Sequence, residues 1–466
     1  MVRRRALALI STFLAGTAAA QALDLAQIYQ AARRHDMSYR ESGASYREAR
    51  TLAPAARSAF LPHISAQANS TYNDLTSRIL GGTPGFTFPS GHFTFNSNGY
   101  GISVSEALLD IHALYAYQAA GRSVRAAAVR HALAKSELIL AVCNRYFGFL
   151  LARDDLDLQR AEGRALHAEY ARALRSFRLG RATITDANEA RARYDAVRAE
   201  QVAAQNAVRL ARARLERMTA GPAYGLWSLN LAAPLPRPRR GALSVYEAKA
   251  RRENLVLQAA RLEARVATAQ ARAAGAARYP TITAEAAYSY SRAGASEFGF
   301  GTVLHDKTIG IDLAVPIYQG GELSAQEARA AAAAFKARVA ELRTAREVAF
   351  DVHEAFLNVR TGYRQIRALQ AAEKAAQVAL ASERLGVRVG VRNNVDVLRA
   401  EQAYFRSRRN LARATYGYIL SRLDLKAAVS HLTAGDIERV NARLLPPGGP
   451  AAQTGAGRAP GHGQRP

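Results

Sequence analysis

The chain has 466 residues, of which 49% are hydrophobic and 22% are charged, and its formal net charge at pH 7 is +26. This length allows two or three ordinary globular domains. Its single cysteine, Cys143, excludes a disulfide within one chain. The excess charge is mostly arginine, spread along the sequence and interleaved with alanine. We interpret it as solvated helix faces and expect no nucleic-acid partner.

The first 22 residues predict a secretory signal peptide. A run of three arginines precedes a short apolar stretch (ALALISTFLAG), and an A-x-A cleavage site ends at Ala22. The apolar stretch is shorter than the ~18 residues of a transmembrane helix, which makes a membrane anchor or a buried helix the weaker interpretation. We therefore expect an exported protein whose mature chain begins at Leu23.

Two blocks without proline, residues 90–221 and 317–445, predict long helical hairpins. Both are rich in Ala, Arg, Leu, Glu and Gln, which favour helices. Each block is interrupted once, and Gly180 and Gly390 are the predicted hairpin turns. The arm from about 112 to 178 would be roughly 100 Å long.

Apolar residues inside both blocks have heptad-like spacing. Such seams pack against other helices as in coiled coils, although the core stripe of an ordinary bundle has the same spacing. The residues are Leu140, Cys143, Phe147 and Leu150 in the first block, and Val352, Phe356, Val359, Tyr363 and Ile366 in the second.

Segments with alternating polarity lie between the helical blocks and predict strands at about 63–75, 92–106, 281–292 and 306–318. Their length fits the wall of a transmembrane β-barrel, and a soluble antiparallel sheet is the alternative. Four strands cannot close a barrel, because about eight are needed. We therefore expect several copies of the chain to pool their strands.

The two halves of the chain repeat one plan. The segment LAQIYQAARRHD (25–36) returns as LSVYEAKARREN (243–254), and LGRATITDA (179–187) returns as VGVRNNVDV (389–397). Repeated units usually need a neighbour in order to bury a face. The predicted domains are a signal peptide at 1–22, a first repeat at 23–221 with a helical hairpin at about 108–219, a linker at 222–242, a second repeat at 243–440 with a hairpin at about 320–430, and a disordered tail at 441–466.

The residues give little support for an enzyme. The ten histidines have no metal-ligand spacing, and neither G-x-S-x-G nor a P-loop occurs. Paired carboxylates such as Asp154 and Asp155 lie in helical heptads, where we expect solvated side chains. We predict no catalytic residue, no metal site and no cofactor.

Several motifs occur in one specific order and are duplicated between the halves. They are LAQIYQAARRHD (25–36), LPHISA, FRLGRATITDANEARARYD (177–195), VPIYQGG (315–321) and VRNNVDVL (391–398). In this combination the chain, from about Leu23 to Val440, resembles the TolC family of outer-membrane exit ducts. The resemblance implies a homotrimer in which a 12-stranded β-barrel crosses the outer membrane and contacts its lipid. It also implies docking onto an inner-membrane transporter through a periplasmic adaptor.

The predicted fold class is therefore α+β and predominantly α, with a duplicated unit of one β-hairpin and one long coiled-coil hairpin. The assembly would be a trimeric 12-stranded β-barrel continued by a 12-helix α-barrel in the periplasm of a Gram-negative bacterium. We expect protein export by type I secretion from an ABC exporter. Multidrug efflux is the alternative, and a periplasmic adaptor with coiled-coil hairpins is a weaker one.

The resemblance also implies a gate where the helical hairpins turn. In relatives, an arginine of the second hairpin bridges a Thr-Asp pair of the first, and the matching residues here are Arg392, Thr185 and Asp186. Helix capping and a solvated arginine would explain the same residues. Val387 replaces a tyrosine that supports this latch in relatives.

At the pore constriction, relatives carry two acids three residues apart, whereas this chain carries Asp396 and Arg399. An Asp/Arg pair at this spacing can neutralise itself. We therefore expect weaker cation selectivity than a ring with two acids per chain would give.

Overall fold

The computed structural model describes residues 23–78, 91–180, 182–222, 225–230, 233–238, 241–295 and 300–447. The predicted signal peptide and the chain after residue 447 lie outside these residues. The described chain forms two compact units. The hairpin unit takes its residues from 1–40, 134–250 and 350–466, and the sheet unit takes its residues from 41–133 and 251–349.

The elements follow the same order in both halves of the chain. The helices are α1 (Leu25–His35), α2 (Met37–Arg57), α3 (Ile111–Arg178), α4 (Ile184–Thr219), α5 (Leu243–Glu253), α6 (Leu255–Ala276), α7 (Glu322–Arg388), α8 (Asn394–Ala428) and α9 (Ala434–Asn441). The strands are β1 (His63–Ser77), β2 (Gly91–Leu109), β3 (Ser228–Leu229), β4 (Thr281–Ala293), β5 (Thr302–Ala314) and β6 (Leu444–Leu445). None of the described helices contains an apolar stretch long enough to cross a bilayer.

The core of the hairpin unit forms around the heptad seam of α3. Cys143, Phe147 and Leu150 are at most 1% exposed, as expected from their spacing. Helix α1 packs here because its apolar residues share one face, with Leu25 and Ile28 fully buried. Removal of so much apolar surface from water is the main stabilising contribution to this unit.

The predicted linker and the start of the predicted tail are part of this unit. Strand β3, inside the linker, pairs antiparallel with β6. The Tyr418 hydroxyl donates a hydrogen bond to the Pro236 carbonyl at 2.6 Å. The prediction that disorder begins at residue 441 is therefore wrong for residues 441–447. Leu444 is only 4% exposed, since its short apolar segment covers the core.

The sheet unit contains a four-stranded antiparallel sheet in the order β1-β2-β4-β5. Strand β5 ends at Ala314, four residues before the predicted end at 318. The reason is Pro316, which has no N–H to donate to a neighbouring strand. The β5 segment also begins earlier than predicted, at Thr302, where it pairs with Ala293.

Candidate functional site at the helical hairpin ends

Both predicted glycines form the turns of the helical hairpins. Gly180 follows α3 with φ +68° and Gly390 follows α7 with φ +82°, a left-handed conformation that favours glycine. At the second turn, the Val391 N–H donates to the Gly386 carbonyl at 3.0 Å and the Gly390 N–H donates to Val387 at 3.3 Å. This pair of bonds is a Schellman motif, which ends α7 at a defined residue.

The two helices that leave these turns begin with matching caps. The Thr183 hydroxyl accepts the Asp186 N–H, and the Asp186 carboxylate accepts the Thr183 N–H at 3.0 Å. In the second hairpin, the Asn393 side chain accepts the Asp396 N–H at 2.9 Å. Thr183 is therefore the N-cap residue of α4, whereas the sequence had suggested Thr185 or Asp186 as its cap.

The predicted latch residues all lie at the hairpin ends, and the side chains of Asp186 and Arg392 have local contacts within this chain. Thr185 is exposed and Val387 is half-buried. The guanidinium of Arg392 lies 3.5 Å from the Glu383 carboxylate. Among the described residues, no ion pair joins Arg392 to Asp186. The latch therefore stays a prediction, and its formation would require Arg392 to leave Glu383.

The predicted constriction residues lie on the first turns of α8. Asp396 is half-buried, and Arg399 is exposed one helical turn later. In the part of the chain that the structure describes, these two side chains form no ion pair within 4 Å. The predicted weakening of cation selectivity therefore does not require a direct Asp396–Arg399 ion pair. It requires only that the positive charge of Arg399 lies near Asp396.

A row of polar residues that the sequence pattern did not predict lies between α3 and α8, and we call it the polar ladder. It has two hydrogen-bonded levels, Asp154 with Tyr416 and Glu162 with Arg409, and a third level at which Glu169 and Glu401 interact electrostatically. The acids on α3 are seven or eight residues apart, and so are their partners on the antiparallel helix α8. Heptad spacing keeps such residues on one helix face.

The first two levels are direct bonds. The Tyr416 hydroxyl donates to Asp154 at 2.5 Å, and Arg409 donates to Glu162 at 2.6 Å. Burial raises the pKa of both carboxyls, although the hydrogen bond from each partner lowers it. Asp154 is thus only partly solvated, with 23% of its side chain exposed, because Tyr416 of α8 bonds its carboxylate.

The third level, nearest the hairpin ends, has a buried acid on each helix. Glu401 is fully buried and accepts a hydrogen bond from Arg384 at 2.5 Å. Glu169 is 2% exposed and accepts one from Arg172 at 2.6 Å. Burial raises the pKa of the Glu401 carboxyl, Arg384 lowers it, and the negative charge of Glu169 raises it further. Two guanidinium groups thus compensate two buried carboxylates, which is necessary because unpaired buried charges are costly.

The surroundings of this level are apolar. Leu398 of α8 packs with Leu166 of α3 and with Ala187 and Ala190 of α4. Close to Ala187 and Ala190 in the sequence of α4, Arg193 and Glu189 form an ion pair at 2.6 Å. The hairpins are thus joined by an apolar seam with ionisable groups inside it.

Comparison with known proteins agrees with this architecture. The family model described as outer membrane efflux protein matches residues 28–221 and 246–431, which make up most of the chain. The chain belongs to the outer membrane efflux protein family. This confirms the resemblance to TolC proteins and gives the location as the outer membrane of a Gram-negative bacterium.

Curated relatives cover nearly the whole chain. Outer membrane protein TolC of Vibrio cholerae is 30% identical over 92% of this chain and 95% of its own length. Alkaline protease secretion protein AprF of Pseudomonas aeruginosa is 25% identical over 91% of this chain and 88% of its own. Proteases secretion protein PrtF of Dickeya chrysanthemi is 27% identical over 95% of each chain.

Solved structures share the fold at low sequence identity. The outer membrane channel CmeC of Campylobacter jejuni has a TM-score of 0.74 at 15% identity, covering 90% of this chain and 89% of its own. The outer membrane protein VceC of Vibrio cholerae has a TM-score of 0.72 at 19% identity, covering 87% and 95%. The family match and these folds do not support the periplasmic adaptor that the sequence left open.

Proposed function

We propose that this protein is the outer-membrane exit channel of a tripartite export machine and acts as a homotrimer. The sheet supports this proposal, because within the described residues it has four strands with unpaired edges at β1 and β5, and one of its faces is mostly apolar. Exposed edges favour pairing with another chain, and an apolar face needs a nonaqueous surrounding. Three copies would pool about twelve strands, enough for a closed barrel.

Protein cargo from an ABC exporter and its periplasmic adaptor is the transport activity that we favour. Two relatives of similar length, AprF and PrtF, are protease secretion proteins. Multidrug efflux is the second candidate, since the matching family model is named for efflux. We place the gate at the hairpin ends, where Arg392, Thr185 and Asp186 would form the latch.

Deletion of the gene, followed by two assays on the same strain, tests this function. We expect at least one secreted protein to disappear from the medium and accumulate in the cells, and the wild-type gene to restore its secretion. Unchanged secretion with increased sensitivity to dyes and antibiotics would favour efflux. Unchanged results in both assays would contradict the proposal.

A further inference from the structure

One face of the four-stranded sheet is apolar in successive rows across the strands. In an antiparallel sheet, residues directly opposite each other lie on the same face. Ile64 is opposite Val104, Val104 is opposite Ala286, and Ala286 is opposite Ile309. The next row toward the β4–β5 connection contains Ala66, Ile102, Tyr288 and Lys307.

The opposite face at the same level is polar. It carries Ser65 opposite Ser103, whose hydroxyls are 2.7 Å apart, and Ser289 opposite Asp306. The sheet therefore separates a polar side from an apolar side. In a membrane barrel these would be the lumen and the lipid, respectively.

The apolar face ends in a cluster of rings and cations at the strand ends farther from α2 and α3. Tyr100 stacks on Tyr290 with ring centroids 5.0 Å apart, and Tyr290 lies 5.0 Å from the ring of His305. The Tyr288 hydroxyl is 3.1 Å from Nδ1 of His305. We call Tyr100, Tyr288, Tyr290, His305, Lys307 and Arg292 the rim cluster.

The cations of the rim cluster carry uncompensated positive charge. Lys307 and Arg292 are exposed, and neither forms an ion pair within the described ranges. Asp306, next to Lys307, lies on the polar face because successive strand residues alternate. Asp74 lies farther out on β1 and contacts His92 at 3.3 Å.

The distance along β5 places these cations at the edge of an apolar band. From Leu313 the strand advances roughly 20 Å to Lys307 and roughly 34 Å to Val303, which is opposite Arg292, at ~3.4 Å per residue. The apolar band of a membrane barrel is about 25 Å tall and is bordered by aromatic residues. The edge of such a band therefore falls between Lys307 and Arg292, and both side chains can extend toward anionic headgroups at that level.

We propose that the rim cluster binds the phosphate groups of an anionic lipid, with Lys307 and Arg292 as the charged contacts and the tyrosines lying against the lipid. This inference depends on the proposed barrel. A second copy of the chain is a poorer occupant of this face, since pairing between copies uses the edges of β1 and β5 and leaves the face uncovered.

The test measures thermal unfolding of the purified protein in neutral detergent with added diphosphoryl lipid A, phosphatidylcholine or inorganic phosphate. We expect lipid A to raise the midpoint by several degrees and the other two additions to leave it unchanged. In R292Q/K307Q this rise should fall by at least half, because the charged contacts are lost. The control R343Q/K374Q, which neutralises exposed cations of α7, should keep the full rise.

Three results would overturn the inference. They are an equal rise in both double variants, a rise with phosphatidylcholine as large as with lipid A, and a rise with inorganic phosphate alone. If R292Q/K307Q fails to assemble, Lys307→Gln and Lys307→Arg give the same comparison, with the rise reduced in the first and retained in the second. If the proposed function is wrong, the purified protein will be a monomer before any lipid is added, and this outcome is distinct from the three results above.

Discussion

At the scale of single residues, the Glu162 carboxylate depends on one partner. Its side chain is 3% exposed and its ion pair with Arg409 lies inside the hairpin unit. We expect Arg409→Met to lower the free energy of unfolding by about 3 kcal/mol, because a buried carboxylate loses its countercharge. Urea denaturation followed by circular dichroism measures the loss.

The matched control is Arg160→Met, which removes an exposed ion pair with Asp157. Such pairs contribute about 1 kcal/mol or less. The double variant E162Q/R409M should recover part of the lost stability. If R409M and R160M lose the same free energy of unfolding, the buried pair of Glu162 and Arg409 stabilises the protein no more than an exposed ion pair does.

Cys143 provides a second prediction at this scale. Burial raises the pKa of its thiol to about 12, and Asp424 and Asp436 contribute to the rise. Because the thiolate is the reactive form, the folded protein should not react with a thiol reagent at pH 8, and it should react fully in denaturant. Ser38→Cys, at an exposed position of α2, should add one fast-reacting thiol. Rapid labelling of the unmodified folded protein would contradict this burial.

At the scale of elements, the turn of the second hairpin depends on a left-handed residue. We expect Gly390→Ala to destabilise the hairpin by about 1 kcal/mol, since alanine is strained at φ +82°. Gly417→Ala is the control, because Gly417 lies inside α8 with open space around it and alanine favours helix there. The midpoint of thermal unfolding should fall in the first variant and stay equal or rise in the second. The reverse order would exclude the Schellman turn.

The packing of α8 on α3 should depend on pH through Glu401. Burial raises the pKa of this carboxyl above its usual value of 4.5, so the packed state binds a proton more tightly than the separated state. Its contribution to packing is complete below about pH 4.5 and is lost as the pH rises through the raised pKa. The measurement is the rate of amide exchange in residues 394–405, expressed as the ratio of the wild-type rate to the E401Q rate. We expect this ratio to be larger at pH 8 than at pH 5.

Comparison of the variants at each pH cancels the intrinsic pH dependence of amide exchange. Glu189→Gln is the matched control, because Glu189 also pairs with an arginine at this end of the hairpin but is half-exposed. Its exchange ratio to wild type should be the same at both pH values. If the ratio of the wild-type rate to the E401Q rate is also the same at both pH values, Glu401 does not make the packing of α8 on α3 depend on pH.

The sequence specified those features that depend on local pattern. Helix periodicity predicted the seam of Cys143 and Phe147, and the absence of an N–H at Pro316 explains why β5 ends where it does. The ladder could not be predicted, since Glu162 and Arg409 are far apart in sequence and an acid at a heptad position is usually solvated. The seven- and eight-residue spacing of the three acids was the available signal. Contacts of the latch residues with other copies depend on an assembly that one chain does not contain.

At the scale of the whole molecule, the hairpin ends should control which ions pass through the assembled channel. We expect a weak cation preference in planar bilayers, and a stronger preference in Arg399→Ala, because that variant removes a positive charge one turn from Asp396. Reversal potentials in a salt gradient measure the preference. A strong cation preference in the wild type that disappears in Asp396→Ala would contradict the prediction.

We propose that identical copies of the chain complete the channel, because the four strands described in the sheet of one copy are too few to close a barrel. Native mass spectrometry of the protein extracted from outer membranes tests this most directly. We predict a particle with the mass of three mature chains, each beginning near Leu23. A particle with the mass of a single chain under the same gentle extraction would contradict the account.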